Sequence, residues 1–142
     1  MNEEKEMSER ELVLNIQILQ EQSKVLASNV EMLTMYLQEL ATSKATLEGT
    51  KTLKKGDEIL VPIGASSFVR ARIEDTETVI TGIGAALSID KAIDQAIEDT
   101  QERITLTEQK IRDNQEAYMQ VSAKLEELGA EAQTRLQKGE NV

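Results

Sequence analysis

Cysteine, histidine and tryptophan are absent from the 142 residues, and the aromatic side chains amount to one Phe and two Tyr. Without thiols or imidazoles the chain can form no disulfide, offers no soft zinc ligand and lacks the usual general base near neutral pH. Compact domains rely on large rings to fill their cores, so a globular core of ordinary thickness is not expected. These absences predict a protein that is not an enzyme and that holds neither cofactor nor metal.

Basic residues are in the minority: Lys and Arg number 16 against 26 Asp and Glu, which gives a net charge of −10. Such a chain repels phosphate backbones and anionic lipid surfaces, so we expect it to bind neither nucleic acid nor membranes. No stretch approaches the roughly 18 apolar residues of a membrane span. The acidic start, MNEEKEMSERE, lacks the apolar segment of a signal peptide. We therefore expect a soluble, cytoplasmic protein.

Residues 8–48 carry a helical repeat. Steps of four and three residues from Leu12 pass through eleven positions, of which nine are apolar. A 3.5-residue period sustained in this way predicts a coiled-coil seam, and the acidic stretch before it excludes a DNA-binding leucine zipper. Ser8 with Glu11 predicts an N-terminal capping box, and Gly49 predicts the end of the helix. The seam positions are Leu12, Ile16, Leu19, Ser23, Leu26, Val30, Leu33, Leu37, Leu40, Lys44 and Leu47.

A second helical repeat occupies residues 90–136 and keeps its phase throughout. Nine of its thirteen seam positions are apolar or aromatic. Ser88 or Asp90 is predicted to cap the start of this helix, and Gly129 is expected near its frayed end. The seam positions are Ile93, Ile97, Thr100, Ile104, Thr107, Ile111, Asn114, Tyr118, Val121, Leu125, Leu128, Ala132 and Arg135.

The two repeats complement each other when they run in opposite directions. Leu12 then lies level with Leu128 and Ser23 with Tyr118, and every polar or small seam residue faces a large one. This complementarity predicts an antiparallel coiled coil within one chain, although a shift by one heptad would keep the phase.

Between the helices, residues 57–89 alternate with a period of two, which is typical of strands. Pro62 cannot donate a ladder hydrogen bond, which predicts an edge strand or a bulge at that position. The predicted strands are Glu58–Ile63, Ser66–Ile73, Glu77–Gly82 and Ala85–Ile89, and the predicted turns lie at Gly64-Ala65, Glu74–Thr76 and Gly84.

Together these segments predict a single domain, residues 1–142, that is mainly α with a small β module. A long antiparallel two-helix coiled coil is connected through two β-hairpins in series. About 32 residues of sheet cannot bury a core of their own. Their open edges therefore predict pairing with sheets of other chains.

Several apolar residues of the first helix lie outside its seam, and three of them share one heptad position. Two readings of this stripe stay open. It packs against a third helix or lies at the surface without a role, or else it is an exposed apolar strip that contacts non-native proteins, for which flexible Met is suited. These residues are Val13, Leu14, Ile18, Val25, Met32 and Met35.

The runs Ile59–Gly64 (ILVPIG) and Val79–Gly84 (VITGIG), followed by Ala92, Ala96 and Ile97, resemble the prefoldin α-class subunit. The resemblance covers nearly the whole chain, and two hairpins rather than one are the mark of the α class. A short, acidic chain without cysteine is similar to the archaeal members.

The resemblance implies a hexamer of two α and four β subunits whose hairpins close a double β-barrel. Such a complex binds unfolded client proteins without ATP and passes them to a group II chaperonin. Client contacts in the family concentrate at the tips of the coiled coil, which implies the start of the first helix and the end of the second here. The apolar residues of that region form the predicted client-binding set: Leu12, Val13, Leu14, Ile16, Ile18, Leu19, Leu125, Leu128 and Leu136. The subunit-assembly set would be Ile59, Leu60, Val61, Ile63, Phe68, Val69, Val79, Ile80, Ile83 and Leu87.

One alternative stays open: a coiled-coil scaffold or tether that is assembled through its β module without chaperone activity. A tether would bind a defined folded partner, whereas a chaperone would bind unfolded proteins with little sequence preference.

Overall fold

The computed structural model describes residues 7–140, so the predicted domain of residues 1–142 begins and ends outside the described residues. The described chain contains two long helices and two β-hairpins, and the predicted fold class is confirmed. In chain order the elements are α1 (Glu9–Thr50), β1 (Glu58–Gly64), β2 (Ser67–Arg72), β3 (Thr78–Gly84), β4 (Leu87–Ala92) and α2 (Ile93–Glu140).

The chain forms two compact units. Within the described residues, unit 1 consists of 7–35 and 108–140, and thus of the first part of α1 and the last part of α2. Unit 2 consists of 36–107 and contains the rest of both helices and the two hairpins.

Helix α1 begins at Glu9 because Ser8 caps it. The Ser8 hydroxyl accepts a hydrogen bond from the Glu11 N–H at 3.2 Å, and the Ser8 carbonyl accepts one from the Leu12 N–H at 2.9 Å. This is the hydroxyl half of the predicted capping box. The helix passes through Gly49 and ends one residue later, where the Gly49 carbonyl accepts bonds from the N–H and the hydroxyl of Thr52.

The heptad seams are packed as the sequence predicts. All eleven seam positions of α1 are buried or half-buried, and so are those of α2 with one exception. In unit 1 the Leu12 and Leu128 side chains are each 2% exposed, so this end of the helix pair is tightly closed. The exception is Tyr118, which is 40% exposed and lines a cleft with Ala27 and Val30.

Polar contacts between the helices show that they are antiparallel. In unit 1, Arg135 Nη1 donates to the Met7 carbonyl at 2.6 Å. In unit 2, Lys44 Nζ donates to Gln101 Oε1 at 2.7 Å. Helical side chains lean toward their own N-terminus, so long side chains in an antiparallel pair meet a few residues beyond the level of their Cα atoms. The Lys44–Gln101 contact therefore agrees with the predicted register, in which Lys44 lies level with Ile97.

The two hairpins are built alike. Strand β1 pairs with β2, and β3 with β4, each as an antiparallel two-stranded sheet. Two residues with positive φ make each turn, Ala65-Ser66 (49° and 59°) and Ala85-Ala86 (51° and 59°), as in the type I′ turns that suit the twist of a hairpin. A register shift between Pro62 and Gly64, and again between Gly82 and Gly84, leaves Ile63 and Ile83 in bulges.

The start of α2 differs from the prediction. Strand β4 runs to Ala92, so Ser88 and Asp90 are strand residues, and their predicted role as helix caps is wrong. The Ile93 N–H donates to the Glu77 carbonyl at 2.9 Å, which carries the β3–β4 ladder directly into the helix. At the other end, α2 continues to Glu140, so Gly129 lies inside the helix rather than near a frayed end.

The second hairpin is fastened to α2 by an ion pair. Lys91 Nζ on β4 donates to Asp99 Oδ2 at 2.6 Å, and Gln95 Nε2 donates to Asp99 Oδ1 at 2.8 Å. These hydrogen bonds, chiefly the one from Lys91, lower the pKa of Asp99 below its usual value. The same face of the hairpin, with Val79, lies along a groove that Leu40 also lines.

Candidate assembly and client-binding surfaces

The hydrogen-bond phase of the first hairpin determines which backbone groups are left for another chain. The Ile73 N–H donates to the Asp57 carbonyl at 2.9 Å. Since bonded and non-bonded pairs alternate in an antiparallel ladder, Val61 bonds to β2, whereas the N–H and C=O of Leu60 point away from it. Pro62 falls in the outward phase, so its missing N–H costs the hairpin no bond. Strand β1 therefore presents an open edge, as predicted.

The second hairpin repeats this phase. The bond from Ile93 to the Glu77 carbonyl places Val79 among the residues that bond to β4, and Ile80 among those that point outward. Ile80 is also, at 78%, the most exposed of the large apolar side chains within residues 7–140. An apolar side chain and a free donor thus occur at the same position of this edge.

Most of the predicted assembly set lies on the surface of unit 2. Ile59 and Val79 are half-buried, and the other eight are exposed. The exposed residues occupy both faces of the hairpins, since Val61 and Val69 lie on one face and Leu60 and Phe68 on the other. The predicted set omits Ile89, which is exposed on β4 and lies two residues after Leu87 on the same face. The alternation of these two apolar residues with Ser88 and Asp90 was the signal that could have identified it.

The predicted client-binding set divides into packed and exposed residues in unit 1. Leu12 and Leu128 are buried, and Ile16, Leu19 and Leu125 are half-buried, so these five belong to the seam. Four others are exposed and are available to another molecule: Val13, Leu14, Ile18 and Leu136. We call these four the tip cluster. Val13 and Leu136 line a cleft together with Arg135.

Arg135 joins the end of α2 to the residue that precedes α1. Its Nη1 donates to the Met7 carbonyl, and its Nη2 donates to Glu131 Oε1 at 2.7 Å. The Asn15 amide donates to the Met7 sulfur at 2.9 Å, so Met7 is held from two sides. The sequence reasoning placed Arg135 in the seam but missed this clasp, because no pattern links residues so far apart in the chain.

The off-seam stripe of α1 is exposed in this chain. Leu14, Ile18, Val25, Met32 and Met35 all belong to unit 1 and are exposed. A groove beside it is lined by Ile18, Glu21, Gln22, Val25 and Leu26 from α1 and by Ala117 and Val121 from α2. Along residues 7–140 the stripe thus remains an open apolar surface.

The described part of the chain offers no group of three or more acidic residues that could hold a metal ion. None of its helices is long and apolar enough to cross a membrane.

Comparison with known proteins gives consistent matches. The prefoldin subunit family model matches residues 19–138. Prefoldin subunit alpha 1 of Thermococcus kodakarensis is 43% identical over 94 residues, which cover 66% of this chain and 64% of that protein. Prefoldin subunit alpha of Pyrococcus horikoshii is 34% identical over 128 residues, which cover 89% of this chain and 86% of that protein.

Solved structures agree. A chain of the filamentous PFD from Methanocaldococcus jannaschii superposes with a TM-score of 0.70 at 26% identity, covering 82% of this chain and 97% of that one. The prefoldin beta subunit from Thermococcus strain KS-1 superposes with a TM-score of 0.57 over 88% of this chain and 89% of that one, and at 16% identity it shares the fold alone. The family match spans most of the sequence, the curated relatives are α subunits, and the fold has two hairpins; this chain therefore belongs to the prefoldin family, in its α class.

Proposed function

We propose that this chain is the α subunit of a hexamer of two α and four β subunits, assembled through its hairpins into β-barrels. Two-stranded sheets with apolar side chains on both faces are not stable alone in water, and open edges attract further strands. The exposed assembly set and the outward groups of Leu60 and Ile80 support this role. Strands from other subunits would cover the side chains and satisfy the edges at the same time.

The proposed activity of the hexamer is ATP-independent capture of unfolded proteins and their delivery to a group II chaperonin in the cytoplasm. Prefoldins are non-enzymatic chaperones. The observation that carries the proposal for this chain is the tip cluster, four large apolar side chains that stay exposed beside a seam closed by Leu12 and Leu128. Because the seam is packed, these side chains are displayed on a stable support.

Each tip is a weak site by itself. Full burial of a Leu or Ile side chain contributes about 1.5–3 kcal/mol, and a mobile client buries only part of it. Several tips that engage one unfolded chain add their contributions, because the second contact is made at a high effective concentration. Promiscuous binding with useful avidity is the expected result.

The test uses the complex formed with a co-expressed prefoldin β subunit. We expect a hexameric mass, suppression of the aggregation of a urea-unfolded enzyme without nucleotide, and transfer of that client to a group II chaperonin. The double variant Leu14→Ser/Ile18→Ser should weaken protection without changing the mass or the helix content. Leu106→Ser is the matched control, since Leu106 is exposed to the same extent as Leu14 (56% and 54%) but lies outside the tip cluster.

Unchanged protection in the double variant would move the client site away from these residues. A complex that ignored unfolded proteins but bound one folded partner in a fixed ratio would instead establish the scaffold or tether.

A further inference from the structure

Helix α1 carries a second apolar seam outside the one that packs against α2. It consists of Leu14, Ile18, Val25, Met32 and Met35, and we call it the outer seam. We propose that the outer seam docks an amphipathic α-helix formed by a segment of an unfolded client, with a Lys or Arg of that helix facing Glu21. This inference rests on the proposed chaperone function and names the class of segment that the chaperone would bind.

The spacing of the outer seam suits a helix rather than an extended chain. Its members are separated by four, seven, seven and three residues, which is the heptad spacing of a coiled coil. One heptad of a helix rises about 10.5 Å, and the whole seam from Leu14 to Met35 spans about 32 Å. An extended peptide presents side chains on one face about every 6.6 Å, so it would match the seam only at isolated points. A helix of three heptads matches it along its length.

The groove beside the outer seam is bounded by residues of both helices. Ile18 and Val25 form one wall, and Ala117 and Val121 of α2 form the other. Alanine opposite a β-branched residue leaves room for a large side chain of the incoming helix. Apolar side chains of the client would enter this groove as knobs enter holes in a coiled coil.

Glu21 determines the charge that the client helix needs. It lines the groove between Ile18 and Val25, and between Leu14 and Met35 it is the one ionised side chain at the two heptad positions of the outer seam. A docked helix would take water from this carboxylate, which is costly unless a cation replaces the lost hydration. A Lys or Arg at the facing position provides that cation, and the net charge of −10 attracts basic segments in the same sense.

The experiment measures peptide binding to the reconstituted hexamer by fluorescence anisotropy. The first probe is a labelled 22-residue peptide with Leu at heptad positions a and d and Lys at the flanks. A second has the same sequence except that two central residues are replaced by Pro, and a third has Glu in place of Lys. We expect the first peptide to bind at least about tenfold more tightly than the other two, and to gain helical circular dichroism when it binds.

Variants locate the site. Val25→Ser with Met32→Ser should weaken binding of the Lys peptide by roughly tenfold. Met119→Ser is the matched control, because Met119 is as exposed as Met32 (70% and 65%) but lines the other cleft, with Tyr118. Glu21→Lys should reverse the preference, so that the Glu peptide binds more tightly than the Lys peptide.

Three outcomes would overturn the inference. The Pro peptide binds as tightly as the helical one, Met119→Ser weakens binding as much as the outer-seam variant, or the outer-seam variant lowers the mass of the complex because another subunit covers this face. Protection of an unfolded enzyme is measured in parallel. If protection is normal and peptide binding ignores the outer seam, this inference alone fails, whereas a complex without protection contradicts the proposed function.

Discussion

Proline at position 60 should disturb pairing of another strand with the open edge of β1 and leave the β1–β2 hairpin itself intact. The Leu60 N–H points away from β2, so Leu60→Pro removes no hydrogen bond within the chain. If a strand of another subunit pairs with this edge, the same substitution leaves a buried acceptor without its donor. That loss costs about 1–3 kcal/mol, which corresponds to about 5- to 150-fold in the affinity between subunits.

The assay follows the mass of the complex with a β subunit during serial dilution, with circular dichroism as the check on helix content. Leu60→Ala is the control, because it removes the exposed side chain but keeps the N–H. We expect Leu60→Pro to dissociate at a concentration well above that of Leu60→Ala, with unchanged helix content. Equal dissociation of the two variants would refute the reasoning, since the N–H would then have no partner in the assembly.

Three further predictions concern the stability of the chain. Replacing Ala65-Ser66 by Asn-Gly should raise the free energy of unfolding by about 1–2 kcal/mol in urea titrations, because Asn and Gly adopt positive φ at a lower cost than Ala and Ser. Arg135→Ala should speed amide exchange at residues 7–12, because the Met7 carbonyl loses its donor; an Arg10→Ala control should not. The lowered pKa of Asp99 means that its hydrogen bonds stabilise the fold above about pH 3.8 and are lost as the pH falls through the folded pKa; Asp99→Asn should therefore flatten this part of the acid unfolding curve.

The helices were predictable from the sequence because their packing repeats. A heptad seam needs only the spacing of apolar residues, and every predicted seam position of α1 is at least half-buried. The largest error fell where the repeat changes, at the junction of β4 and α2. Asp90 and Lys91 resemble the start of a polar helix, yet they continue the strand, and Lys91 pairs with Asp99 nearly two turns into α2. A sequence pattern does not record such a contact.

The candidate surfaces were predictable in kind but not residue by residue. Apolar residues near the helix ends were identified, but composition does not tell which of them close the seam and which remain outside. The structure makes that division, with Leu12 buried and Val13 exposed beside it. The outward direction of the Leu60 N–H could be found only from the observed strand register, because a shift by one residue would exchange inward- and outward-pointing donors.

The exposed methionines of unit 1 make its apolar surface sensitive to oxidation. Met32, Met35 and Met119 lie outside the packed seam, so peroxide reaches their thioethers without any unfolding. Oxidation to the sulfoxide makes a flexible apolar side chain polar, and reductases reverse the change. Oxidised protein should therefore keep its fold, while the exposed apolar surface of unit 1 becomes more polar. If this surface binds unfolded clients as proposed, its affinity for them would fall under oxidative stress. The affinity would return once reductases repair the sulfoxides, without new protein synthesis.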